Sequence, residues 1–193
     1  MLTFDLGDLT RHLTDQSKGI DDETATDHAL RARQLDALYV ALLPIGMRVI
    51  CMETVGVVTG WDTAPAGDPR RVPYLSRTVP HAFAAEQGFS PASSTYLPAL
   101  RAKVIVDAAT IPHFCKVIAE SYSRTPEIGE SFGIRREGGR WSILSTHGWR
   151  WDLDFTPRAF PATPEGAVIA ALIARIEDLA SAYTDRTPER IGC

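Results

Sequence analysis

Phe132-Gly133-Ile134-Arg135-Arg136-Glu137-Gly138-Gly139-Arg140-Trp141-Ser142-Ile143-Leu144-Ser145 reads as two strands joined at Gly138-Gly139. A two-residue hairpin loop of the favoured type needs positive φ at both central positions, which glycine adopts without steric cost. The loop sets the register. Glu137 falls opposite Arg140, Arg136 opposite Trp141, Ile134 opposite Ile143 and Phe132 opposite Ser145. Apolar residues then share one face and a charge pair flanks the turn; a one-residue slip would scatter them.

The next stretch alternates Trp149, Trp151, Leu153 and Phe155 with Arg150, Asp152 and Asp154. Taking Thr146-His147-Gly148 as a three-residue loop, with Gly148 left-handed, sets Ile143 against Trp151, Trp141 against Leu153 and Arg140 against Asp154. Both hairpins then agree on the apolar face. The expectation is a three-stranded meander with its tryptophans turned inward and Arg136 lying across Trp141 as a cation–π pair.

Downstream, Thr163-Pro164-Glu165 supplies an N-cap, a proline for the first helical position and an early acid. Val168, Leu172, Ile176, Leu179 and Tyr183 continue as the stripe of a helix to about residue 184, expected to lie on the aromatic face. The tail 185–193 is peripheral. Upstream, Thr110 and Pro112 open a helix over 110–122, and Lys103–Val106 reads as a strand. Six prolines between residues 65 and 98 exclude a long helix there. Residues 62–98 therefore read as an irregular segment, with an edge-type strand near 72–79 and a helical turn near 81–87. Met47 to Thr59 is either one strand covered on both faces or two strands broken near Gly56. A helix over 22–43 precedes it, with acids in its first turn and Pro44 at its end. Residues 1–20 read as a short amphipathic helical piece carrying Leu6, Leu9 and Leu13. The expected fold is a single α+β domain over 1–193. It has N-terminal helices, a mixed or antiparallel sheet, and a C-terminal meander packed by the last helix.

Composition narrows the function classes. The 193 residues are 45% hydrophobic and 23% charged, a globular balance that needs no disulfide or metal to support a core. The net charge is −4. Residues 1–40 carry the acidic excess, whereas nucleic-acid binding draws its affinity from clustered cations, so the bulk field argues against that partner. Cys51, Cys115 and Cys193 are far apart and form no CxxC, which points to neither a zinc site nor a dithiol. No apolar run is long enough for a membrane helix and the N-terminus lacks the pattern of a secretory signal, so a cytoplasmic address is expected.

No reaction-specific motif appears: no phosphate-cradling glycine loop, no HExxH, no GxSxG. The candidate catalytic groups are His147, as a general base, and Ser145 beside it. The candidate binding residues are Asp21, Asp22, Glu23 and Asp27 of the acidic helix, Arg70 and Arg71 of the proline-rich segment, and Trp149 and Arg150 of the meander. No metal site and no cofactor are expected. The reading that follows is a non-catalytic module that binds a protein partner. Its alternative is a small enzyme or ligand-binding domain whose pocket lies between the aromatic meander and the helices.

Overall fold

A computed structural model describes residues 1–6, 25–51, 53–62, 74–78, 95–98, 101–153 and 160–180, with residues 25–32, 35, 95–98 and 180 described by backbone alone. These residues form strands β1 (Leu2–Asp5), β2 (Arg48–Cys51), β3 (Thr54–Asp62), β4 (Tyr74–Arg77), β5 (Thr95–Pro98), β6 (Lys103–Val106), β7 (Phe132–Glu137), β8 (Arg140–Ser145) and β9 (Arg150–Asp152). The helices are α1 (Ala25–Leu42), α2 (Ile111–Ser121) and α3 (Pro164–Ala180). One sheet has the order β1-β6-β2-β3-β4-β5 and the other β7-β8-β9. The pairings β2–β3, β2–β6, β3–β4, β4–β5, β7–β8 and β8–β9 are antiparallel, so the class is α+β. No helix among the described residues is long and apolar enough to cross a membrane.

The chain divides into two compact units, Met1–Phe4 with Ile105–Arg175, and Asp5–Val104 with Ile176–Cys193. In the first, the meander has the expected register at every pair from Phe132↔Ser145 to Glu137↔Arg140. Gly138 and Gly139 take φ of +55° and +85°. Ile143 faces Trp151, the Leu153 amide donates to the Trp141 carbonyl at 2.8 Å, and Gly148 has φ +84°. Asp154 and Phe155 lie outside the described residues. The Arg136 guanidinium sits 5.8 Å from the Trp141 ring centre, as the register requires.

Trp141 is 8% exposed, while Trp149 and Trp151 are half-buried. Helix α2 runs beside β7. The ring on Trp151 is Tyr122, just past the end of α2, at a centroid distance of 4.7 Å. The last helix reaches this stack through Arg175, whose guanidinium lies 4.2 Å from the Tyr122 ring centre. Arg175 also donates to the carbonyl and hydroxyl of Ser121, satisfying an acceptor that the helix end leaves open. Within α3, Val168, Leu172, Ile176 and Leu179 are buried, as their spacing predicts. Thr163 caps it through a 3.2 Å bond from the Gly166 amide. Thr110 stands at the N-cap of α2 without capping it. Its hydroxyl turns back to the Asp107 amide and the Ile105 carbonyl, because Asp107 has already organised that turn.

Several expectations need correction in the other segments. Leu2–Asp5 is a strand with Phe4 buried, so the helical reading of residues 1–20 fails over that stretch; Leu9 and Leu13 lie outside the described residues. The apolar run after Pro44 is a hairpin whose last pair is Cys51 with Thr54, so the break falls ahead of Gly56, and Glu53 takes φ +61°. Strand β4 is central: β3 pairs on one side and β5 on the other. Part of the supposedly irregular chain is therefore strand β5, with Pro98 at its end, where an edge strand tolerates the missing donor. The helical turn near 81–87 lies outside the described residues.

Candidate functional site

The meander brings four of the sequence candidates to adjoining positions: Ser145, His147, Trp149 and Arg150. Ser145 and Trp149 close the β8–β9 loop, the Ser145 amide donating to the Trp149 carbonyl at 2.8 Å. The Ser145 hydroxyl accepts from the His147 amide at 3.3 Å and from the Trp149 amide at 3.1 Å. Both acceptor sites of this hydroxyl are therefore taken by amides of its own loop. The hydroxyl also lies near the Glu130 carboxylate and favours its charged form. The His147 ring turns elsewhere: Nδ1 stands 3.1 Å from a Glu127 carboxylate oxygen. Among the described residues no hydrogen bond joins the imidazole to the Ser145 hydroxyl.

Glu127 and Glu130 belong to the chain between α2 and β7, which the loop after β8 holds in place. Thr146 donates its amide to the Ser131 carbonyl at 3.0 Å, and its hydroxyl accepts from the Ser131 amide at 3.1 Å. Arg124 Nη2 donates to both Glu130 oxygens, each at 3.0 Å, while Nη1 donates to the Thr125 carbonyl. The Glu127 amide adds a bond of 2.8 Å to the same carboxylate. The Ser145 hydroxyl, the Glu127 amide and the nearby Arg124 and His147 hold the Glu130 carboxyl below its ordinary value, against the opposing effect of burial.

This clamp shapes a tight turn. The Glu130 amide donates to the Glu127 carbonyl at 3.1 Å, and Gly129 has φ +77°, the left-handed third position of a type II turn. Ile128, the second residue, is 103% exposed. An isoleucine is thus held fully in solvent by a turn whose flanks are pinned. Sequence reasoning missed this group, although Pro126 and Gly129 around Ile128 are ordinary turn signals.

Trp149 packs edge-on against Phe132, with ring centres 6.1 Å apart. Arg150 is consumed by its neighbours. Nε donates to Asp152 at 2.7 Å, Nη1 to Glu137 at 3.0 Å and Nη2 to the Ser142 hydroxyl at 3.1 Å. Ser142, 1% exposed, donates in turn to Asp152 at 2.6 Å. That hydroxyl, followed by Arg150, lowers the Asp152 carboxyl, and Asp152 and Glu137 raise the Arg150 guanidinium. Arg150, Asp152, Glu137 and Ser142 therefore form one bonded network.

The remaining candidates are not brought into this group. Asp21, Asp22, Glu23, Arg70 and Arg71 lie outside the described residues, and Asp27 falls on α1 where only the backbone is described. Cys115 is buried and its thiol is pushed up to about 12 by desolvation, which makes it a poor nucleophile. Among the described residues no three His, Cys, Asp or Glu side chains converge as a metal site needs. No family model matches the chain, and neither a curated protein nor a solved structure matches it.

Proposed function

We propose that this chain is a non-catalytic module that binds a protein partner, and that Ile128 is an anchor of the contact. The carrying observation is the complete exposure of Ile128 on a turn fixed by Arg124, Glu130 and the Glu127 amide. Binding is strengthened when the contacting group is ordered beforehand, because less freedom is lost on association. A handful of residues seated in desolvated pockets of the partner usually carries most of the interface energy. The occupation of Ser145 by structural bonds and the burial of Cys51 and Cys115 support a binding role over a catalytic one. Neutralisation of Arg150 by Glu137 and Asp152 supports a protein rather than a nucleic acid as partner. Two free, buried cysteines suit a reducing cytoplasm.

The test is site-specific photocrosslinking in cells of the source. A photoreactive residue replaces Ile128, and a control replaces exposed Glu120. A discrete protein adduct from position 128 alone is expected. Ile128→Asp should lower capture by at least about tenfold, a loss of roughly 1.4 kcal/mol, with an unchanged melting temperature. Absence of any adduct at 128, or equal labelling at 120, overturns the reading.

A further inference from the structure

Tyr122-Ser123-Arg124-Thr125-Pro126-Glu127-Ile128-Gly129 recurs near the end of the chain as Tyr183-Thr184-Asp185-Arg186-Thr187-Pro188-Glu189-Arg190-Ile191-Gly192. Tyr, Arg, Thr, Pro, Glu, Ile and Gly return in the same order, and Ser123 and Thr184 share a hydroxyl. Asp185 and Arg190 are the two insertions. Tyr122 follows the last residue of α2 directly, and Tyr183 comes shortly after Ala180, the last residue of α3. Residues 181–193 lie outside the described residues, so the likeness there is one of sequence.

Stopping a helix does not call for this likeness. A glycine or proline soon after the last turn is enough, whereas an arginine ahead of Thr-Pro and an isoleucine ahead of the glycine add nothing to the stop. Thr163-Pro164-Glu165 shows what the tripeptide does alone: it opens α3, with Ala162 before it and Gly166-Ala167 after. Packing does not call for it either. Thr125, Glu127, Ile128 and Gly129 are exposed and Pro126 is half-buried, while a likeness imposed by the core would fall on buried positions. Nor does the clamp recur. Arg124 works through Glu130, but Gly192 is followed by Cys193, which cannot take the part of that carboxylate. What recurs is the set of side chains that the clamped turn displays.

We propose that residues 183–192 are a second copy of the element that presents Ile128, with Ile191 as its anchor, and that the same pocket on the partner protein receives either copy. This rests on the assignment of Ile128 as an anchor. The shared side chains set the chemistry of the pocket: apolar walls for the isoleucine and a cation at the rim for the carboxylate of Glu127 or Glu189. Glu127 stays exposed beside His147, open to such a cation. Charge complementarity of this kind speeds encounter and rejects partners of the wrong sign. A pocket released by one copy meets the other at the high effective concentration that a shared chain imposes.

The test places a photoreactive residue at Ile191 of the full-length chain in cells of the source, alongside the replacement at Ile128, and sequences the partner peptide joined to each. A third chain carries it at exposed Ala162, beside the Thr-Pro-Glu that lacks the flanking arginine and isoleucine. Positions 128 and 191 should label one protein on the same short segment, and position 162 should give no discrete adduct. Glu189→Arg should lower the yield at position 191 by at least about tenfold, because it sets like charges together. Should replacement of Ile191 lower the melting temperature, the photoreactive residue goes to Arg190 beside it. An adduct at 128 with none at 191 overturns the shared pocket alone. So do adducts to different proteins or different segments, equal labelling at 162, or a yield indifferent to Glu189→Arg. No adduct at 128 overturns the anchor and the shared pocket together.

Discussion

A methyl group at Gly166 would stand 2.0 Å from the Pro161 carbonyl oxygen, while one at Gly133 would meet nothing within 4 Å. Gly166 occupies the first turn of α3, where alanine would ordinarily gain about 1 kcal/mol in helix propensity. The close approach reverses that sign. Gly166→Ala should destabilise by roughly 1–3 kcal/mol, the cost of overpacking against a backbone atom. Gly133→Ala, in strand β7, should instead stabilise by about 0.5–1 kcal/mol. Urea midpoints at unchanged slope separate the two effects. Residue-scale features were legible where they depend on near neighbours. The Thr163 cap is one, since the hydroxyl and the amide it accepts from are three positions apart. Thr110 misled because Asp107 competes for the same turn, and Arg77 escaped notice because the Cys51 and Thr54 carbonyls it donates to lie more than twenty residues away.

Meander register was readable at every described pair because two glycine-bearing loops and an alternating pattern give the same answer. The β2–β3 hairpin was not, because its turn contains no glycine. Glu53 takes φ +61° at a cost its sequence neighbours do not announce, and Gly56, the residue that looked like a break, sits inside β3. Strand β4 looked like an edge because prolines surround it, yet Pro73 and Pro80 fall outside its paired residues. The dependence of the β7–β8 hairpin on its loop is testable. Asparagine tolerates the left-handed region, so Gly138→Asn should change stability by less than about 0.5 kcal/mol. A β-branched residue does not. Gly139→Val, at φ +85°, should cost about 1–2 kcal/mol or more, read from the thermal midpoint.

At the scale of the molecule, the cluster around Glu130 was hidden because its members come from separate loops. Arg124, Glu127 and Glu130 meet Ser145 and His147 only once the meander is folded, and no spacing in the chain encodes that meeting. Its consequence appears in the acid limb of stability. Glu130 and Asp152 are both held below their ordinary values of 4.5 and 3.8 in the folded state. An acid whose pKa is lowered by folding stabilises the native state above its unfolded pKa and loses that contribution as pH falls through the folded one. Melting temperature should therefore be flat from about pH 7 to about pH 5 and fall below about pH 4.5. Glu130→Gln lacks the titrating charge, so it should melt lower than the parent at about pH 7. The gap should shrink steadily as the parent's carboxylate is protonated. A gap that stays constant down to about pH 3 would mean that packing, rather than the charge bound by Arg124 and the Glu127 amide, holds the turn that presents Ile128.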